Sequence, residues 1–136
     1  MSAEQPDVAA SGFVGAMGFT TAEVSATLVT GTAELGPGHH TPWGVVHGGV
    51  YCAIVESAAS IGASTAVREQ GQFSVGVNNS TDFVRSMTAG RIDVVAEPVQ
   101  QGRTQQLWQV TLTRAEDGKL VAQGRVRLQN VPLPGS

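Results

Sequence analysis

From Thr41 to Val67, Glu56 is the only Asp, Glu, Lys or Arg in the chain. Burying a carboxylate costs on the order of several kcal/mol unless something compensates it. A lone acid in an apolar stretch therefore calls for a purpose. The chemistry open to it is proton abstraction or direct nucleophilic attack. Desolvation makes a carboxylate a better base because it raises the pKa. Nine residues before Glu56 stands His47, followed by Gly48 and Gly49. Glycines at the mouth of a helix leave backbone N–H groups open to close approach, and the helix dipole favours negative charge there.

These residues need a helix to hold them, and the sequence supplies one. The turn-forming Gly44-Val-Val-His47-Gly48-Gly49 leads into Val50–Val67, which has no proline and one internal glycine. Its small residues (Ala53, Ala58, Ala59, Gly62, Ala63, Ala66) invite close approach by other backbone. Apolar nearly all round, it is expected to be buried and wrapped by a sheet. Phe13–Met17 could form a short helix. A strand begins at Thr20, with Ala22, Val24, Ala26 and Leu28 on the buried parity, and extends towards Leu35 with a bulge or bend at Gly31. The 36–42 loop separates it from the helix. After Gly71 come four strands: one with Phe73, Val75, Val77, Asn79, Thr81 and Phe83 on one parity, then 91–99, 105–114 and 119–129. Asp117-Gly118 makes the last hairpin turn. The order strand, helix, four strands predicts an α+β fold with an antiparallel sheet around one long central helix. Residues 1–12 read as a flexible tail, 13–130 as one domain and 131–136 as a C-terminal tail.

A net charge of −3 argues against a general nucleic-acid binder. All eight Lys and Arg residues lie at Arg68 or later, while residues 1–67 carry five acids. This asymmetry is either ordinary surface solvation or arginines gathered for an anionic ligand. Cys52 is the only cysteine, so no internal disulfide forms, and a reducing, cytoplasmic setting is expected. No run of transmembrane length and no signal peptide is read, so no membrane partner is expected. Three histidines and one cysteine match no usual zinc spacing, so no metal is expected.

The Gly44-x-x-His47-Gly48-Gly49 stretch with Glu56, together with Phe83-Val-Arg85, Gly102-Arg103-Thr104 and Asp117-Gly118, resembles the hotdog-fold acyl-CoA thioesterases. The likeness runs from about Gly18 to Leu128. Within that family it is nearest to the phenylacetate-degradation (PaaI-type) and 4-hydroxybenzoyl-CoA thioesterases that carry a helix glutamate. The resemblance implies a hotdog fold and hydrolysis of an acyl-CoA thioester of aromatic (hydroxybenzoyl or phenylacetyl) or medium-chain type, with no cofactor beyond the CoA of the substrate. It makes the Gly48 N–H the donor that polarises the thioester carbonyl, with Gly49 beside it. Glu56 becomes nucleophile or general base, His47 orients the site, and Ser60, one turn after Glu56, positions the acid or a water. Arg85, Arg103 and Thr104 would meet the nucleotide and phosphates, and Asn78 and Asn79 the acyl or pantetheine channel. Thr41 stands where the family often has Asn or Gln, with a shorter reach and fewer donors.

Gly48 and Glu56 lie roughly 12 Å apart along one helix, too far for a single thioester to touch both. The resemblance resolves this with a homodimer whose antiparallel helices share active sites, assembled further into a tetramer as a dimer of dimers. Two other readings stand beside hydrolysis: an enoyl-CoA hydratase on the same fold, and a non-catalytic CoA-ester-binding module. The bland alternatives are a structural acid at Glu56, a capping His47, a small packed hydrophobe at Cys52 and surface pairing at Arg85 and Arg103. Trp43 either lines a pocket or covers the core.

Overall fold

The computed structural model describes residues 12–135. The expected N-terminal tail therefore lies outside the described residues, apart from Gly12. A short helix α1 (Gly12–Ala16) leads into β1 (Phe19–Val24) and β2 (Val29–Leu35), and a 3-10 turn at Pro37–His39 precedes the long helix α2 (Gly48–Val67). Then come β3 (Gln72–Phe83), β4 (Gly90–Gln101), β5 (Gln105–Arg114) and β6 (Leu120–Pro132). The strands form one six-stranded sheet in the order β1-β2-β4-β5-β6-β3, every neighbouring pair antiparallel. The sheet curls around α2, as a hotdog fold requires.

Two expectations about strands need correction. The single strand read from Thr20 to Leu35 is a hairpin. The chain reverses between Ser25 and Leu28, where the Ser25 hydroxyl accepts from the Thr27 N–H at 3.2 Å and donates to the Leu28 carbonyl. The supposed buried parity fails with it: Ala22, Val24 and Ala26 are exposed, whereas Phe19, Val29, Ala33 and Leu35 are buried. The irregularity expected at Gly31 lies in its partner strand: the β1–β2 register shifts between Thr21 and Glu23, opposite Gly31 and Thr30. Gly31 faces β1 so closely that a Cβ would lie 2.7 Å from a ring carbon of Phe19. The second correction concerns the C-terminus: β6 continues through Val131 and Pro132, paired with Phe73 and Gln72, so the tail begins later than read.

The helix is not buried all round. It buries Tyr51, Ile54, Val55, Ala58, Ala59, Gly62, Ala63 and Val67, a stripe at spacings of three and four. This stripe packs into the concave face of the sheet. At Gly62 the approach is closest, since a Cβ would sit 2.4 Å from the fully buried Trp108 ring. The opposite stripe, including Gly49, Cys52, Ala53, Glu56 and Ser60, is left exposed or half-buried. The sheet ends on that side at β3, and among the described residues no strand pairs with its outer edge. By length and apolar composition alone α2 could cross a membrane, but here it is the core helix of the sheet.

Candidate functional site

The start of α2 is built by His47, Gly48 and Gly49. His47 is the N-cap, with extended backbone, and its Nδ1 accepts from the Gly49 N–H at 2.8 Å. This satisfies one of the unpaired donors at a helix start. A Cβ on Gly49 would lie 2.9 Å from that nitrogen, so the glycine makes room for the cap. The Gly48 N–H donates to no protein group among the described residues. The Phe83 ring from the end of β3 lies over Gly48, where a Cβ would come within 2.5 Å of it. Gly48, Tyr51, Phe83, Val84, Arg85, Ser86 and Val46 line a cavity of about 230 Å³. Arg85 is exposed there and donates to the Leu120 carbonyl at 2.9 Å. Sequence reasoning passed over Tyr51. Its ring meets Phe83 at 5.9 Å, its hydroxyl is buried without a protein partner among the described residues, and burial holds its pKa above the ordinary phenol value.

Glu56 lies on the uncovered stripe of α2 and is exposed in the single protomer, contrary to the expectation of a sequestered acid. The reason is the open β3 edge, which among the described residues leaves that side of the helix without a protein layer. Glu56 has no ion-pair partner among the described residues. Two residues of β3 hold it. Asn79 Nδ2 donates to Glu56 Oε1 at 3.3 Å and to the Cys52 carbonyl at 3.0 Å. Gly76 lies against the other oxygen, where a Cβ would be 3.0 Å from Oε2. Thr81 donates to Asn79 Oδ1 at 2.6 Å and thereby fixes which end of the amide faces Glu56.

A bulge between Gly76 and Asn78 makes this grouping possible. An extra residue in one strand reverses which parity faces the core. Before the bulge Ser74 and Gly76 meet α2; after it, Asn79 and Thr81 turn inward. The single parity read from Phe73 to Phe83 is therefore broken: Val77 is 55% exposed, and Asn78 is also exposed. Ser60 does not reach for Glu56 within the protomer. Its hydroxyl and that of Ser64 both donate to the Ser74 carbonyl at 3.4 Å.

Arg103 and Thr104 lie apart from both groups, beyond the C-terminal end of α2. They form the turn between β4 and β5 and border a cavity of about 610 Å³ lined also by Gln70, Gln72, Gln101 and Ala66. Its floor is polar yet closed. Gln106 (2% exposed) and Asn130 (6%) are joined by a 2.9 Å hydrogen bond, and Gln106 also donates to the Ala63 carbonyl and accepts from Trp108 Nε1. No local pattern in the sequence marked these two amides.

Thr41 belongs to a local turn. Its hydroxyl accepts from the Trp43 N–H at 3.1 Å, and its carbonyl accepts from the Gly44 N–H. Trp43, 89% exposed, does not cover the core. Among the described residues no three His, Cys, Asp or Glu side chains gather to hold a metal ion.

Residues 43–121 match the family model of the Thioesterase superfamily. A Mycobacterium tuberculosis protein provisionally named an esterase is 54% identical over 90 residues, which cover 65% of this chain and 64% of the relative. The matched part is thus just under two thirds of that relative's length. Its solved structure superposes with a TM-score of 0.85 at 43% identity, covering 89% of this chain and 97% of the other. A Haemophilus influenzae thioesterase structure superposes with a TM-score of 0.84 at 26% identity, covering 93% and 87%. A 1,4-dihydroxy-2-naphthoyl-CoA hydrolase of Listeria monocytogenes is 34% identical over 74 residues, 54% of this chain and 59% of the relative.

Proposed function

Because this chain belongs to the thioesterase superfamily, we propose that it hydrolyses acyl-CoA thioesters, with Glu56 as nucleophile or general base. The observation that carries the reading is the pairing of an unengaged Gly48 N–H with a Glu56 carboxylate held by Asn79 on the uncovered side of the same helix. In the proposed reaction the thioester carbonyl oxygen accepts from the Gly48 N–H, where the helix terminus favours the negative charge that develops. Glu56 attacks the carbonyl carbon, or takes a proton from a water that does. When water attacks, the C–S bond breaks as the proton taken by Glu56 passes to the CoA sulfur, and the acid product carries the oxygen of the water. When Glu56 attacks, CoA leaves with a proton from water, and a water then hydrolyses the acyl-Glu56 anhydride to release the acid and restore the carboxylate.

Eight residues separate Gly48 from Glu56 on α2, roughly 12 Å of rise. The proposed active unit is therefore a homodimer in which the Gly48 of one copy faces the Glu56 of the other. Support comes from the unpaired β3 edge beside the uncovered stripe of α2, since a long open edge is a template for a second strand. In such a dimer the partner would also cover Glu56 and remove it from water. Dimers would pair again into a tetramer. Arg103 and Thr104 are assigned to the phosphate and nucleotide end of CoA, and Arg85 to the same ligand at the other end of the helix. Aromatic acyl groups, hydroxybenzoyl or phenylacetyl, head the proposed substrates, with medium chains after them. The naphthoyl-CoA hydrolase among the relatives supports an aromatic group.

Thiol release from a panel of benzoyl-, phenylacetyl- and medium-chain CoA esters tests the reading. Glu56→Ala should lose at least ~10²-fold in kcat, as removal of a general base or nucleophile does. Equal turnover by the variant would remove Glu56 from the reaction. Mixing inactive Gly48 and Glu56 variants should restore part of the activity through hybrid dimers; no recovery would refute shared sites. Hydration of an enoyl-CoA without thiol release, or tight ester binding without turnover, would replace the hydrolase reading.

A further inference from the structure

We infer that Asn130 is a positioning residue for the phosphate-bearing end of CoA: by drawing the carbonyls of the β4–β5 turn inward, it leaves that turn's N–H groups facing outward beside Arg103. The inference rests on the acyl-CoA reading above. Asn130 is 6% exposed and sits on β6, 26 residues after the turn it holds. Its Nδ2 donates to the Gly102 carbonyl at 3.3 Å and to the Arg103 carbonyl at 3.2 Å, and its backbone N–H donates to the Thr104 carbonyl at 2.8 Å. One residue thus engages three successive carbonyls.

The consequence follows from the peptide plane. In a trans peptide the carbonyl of one residue and the N–H of the next point in opposite directions. With the Gly102 and Arg103 carbonyls turned towards Asn130, the N–H groups of Arg103 and Thr104 point away from it. Neither donates to a protein group among the described residues. Successive outward N–H groups form a concavity suited to an anion. The Arg103 guanidinium, exposed and without an ion-pair partner among the described residues, adds charge at the same turn.

Asn130 is itself held rigidly. Its Oδ1 accepts from Ser74 Oγ at 3.0 Å and from Gln106 Nε2 at 2.9 Å. Gln106 is anchored to the Ala63 carbonyl of α2 and to the buried Trp108. Neither amide has spare donors for a ligand, so their effect on binding passes through the turn.

Asn130→Asp keeps the shape and the acceptor for Ser74 and Gln106, but sets a carboxylate oxygen against the two turn carbonyls. Steady-state kinetics would compare benzoyl-CoA with benzoyl-pantetheine, which lacks the nucleotide. The expected result is a roughly tenfold rise in KM for benzoyl-CoA, the scale of one lost hydrogen bond to a charged group, with kcat unchanged and both constants unmoved for benzoyl-pantetheine. Calorimetric titration with adenosine 3′,5′-bisphosphate should show a similar loss of affinity. Equal effects on both esters, an unchanged KM, or unchanged bisphosphate affinity would overturn the inference. If Asn130→Asp does not fold, Ser74→Ala removes one of the bonds that hold the amide and should raise only the benzoyl-CoA KM, by about two- to threefold; no change, or a change shared with the pantetheine ester, would overturn the inference equally. Absence of wild-type turnover on either ester would count against the hydrolase reading alone, because the bisphosphate titration still decides the role of Asn130.

Discussion

Gly48→Ala would add a methyl group 2.5 Å from Cε2 and 2.8 Å from Cζ of Phe83. Carbon atoms in ordinary contact lie about 3.5–4.0 Å apart, so the ring or the helix start must retreat by about 1 Å. Phe83 is 54% exposed and has room to swing outward, at the expense of its contact with Tyr51. Overpacking of this kind costs about 1–3 kcal/mol, and a lost aromatic pair about 0.5–1.5 kcal/mol of that order. The variant should therefore unfold several degrees lower but still fold. Activity should fall further than stability, because the methyl group stands beside the N–H assigned to the thioester oxygen. Loss of one such donor lowers kcat by about 10²–10³. Phe83→Ala separates the two effects. In the double variant the clash is gone, so its melting temperature should return to that of Phe83→Ala alone, a coupling of about 1–3 kcal/mol. Its kcat should stay about 10²-fold below that of Phe83→Ala. Thermal unfolding and thiol-release kinetics on the four proteins complete the cycle. Recovery of kcat in the double variant would show that Gly48 serves packing against Phe83 and not the reacting carbonyl.

Other perturbations have equally definite outcomes. Gly62→Ala should destabilise by about 3 kcal/mol or more by thermal or chemical denaturation, because its methyl group meets Trp108, which is fully buried and tied to Gln106. Thr81→Val leaves the Asn79 amide free to turn over and should lower kcat by about tenfold with little change in melting temperature, whereas Thr81→Ser should retain activity; misplacement of a reacting group by about 1 Å is sufficient for losses of this order and larger. In the β5–β6 turn, the hydrogen bond from Arg114 lowers the pKa of Asp117 from 3.8 to about 2. A depressed carboxylate stabilises the fold above its unfolded pKa and ceases to do so as pH falls through the folded value. The melting-temperature advantage of wild type over Asp117→Asn should thus be full at pH 5–7 and absent at about pH 2; an advantage that grew on acidification would refute the assignment.

The long helix was legible because glycines open it and no proline interrupts it, and the last hairpin because Asp117-Gly118 has a left-handed glycine at φ 72°. The β1–β2 hairpin was not legible. Its turn, Ser25-Ala-Thr-Leu28, has no Gly, Pro or Asn and is closed by a serine hydroxyl, a weaker signal. A continuous alternation of apolar residues ran straight across it. The bulge in β3 was missed for a related reason. Gly76 is the kind of residue that marks one, but the alternation of Phe73, Val75 and Val77 suggested an undisturbed strand. Gln106 and Asn130 were hidden because their partners lie on other elements, and a buried amide has no periodic signature.

The exposure of Glu56 joins these points. Glu56 stood out in the sequence because its neighbours are apolar, and apolar neighbours suggested burial by the chain's own sheet. The sheet covers only the stripe from Tyr51 to Val67, while the stripe bearing Glu56 faces outward beside an edge strand of 12 residues whose outer edge has no partner among the described residues. An apolar helix face and a long open strand edge side by side are each unfavourable in water, and one second copy would relieve both. That copy would also desolvate the carboxylate between Asn79 and Gly76, giving it the environment that the composition of the helix implied. In the proposed dimer α2 would have two layers: its own sheet on the inner stripe and a second protomer on the outer. Changing Val77, 55% exposed on β3, to Lys would place charge on that outer surface and should shift the protein towards monomer with loss of thiol release. A fully active monomer, measured by light scattering after size exclusion, would refute the link between assembly and catalysis.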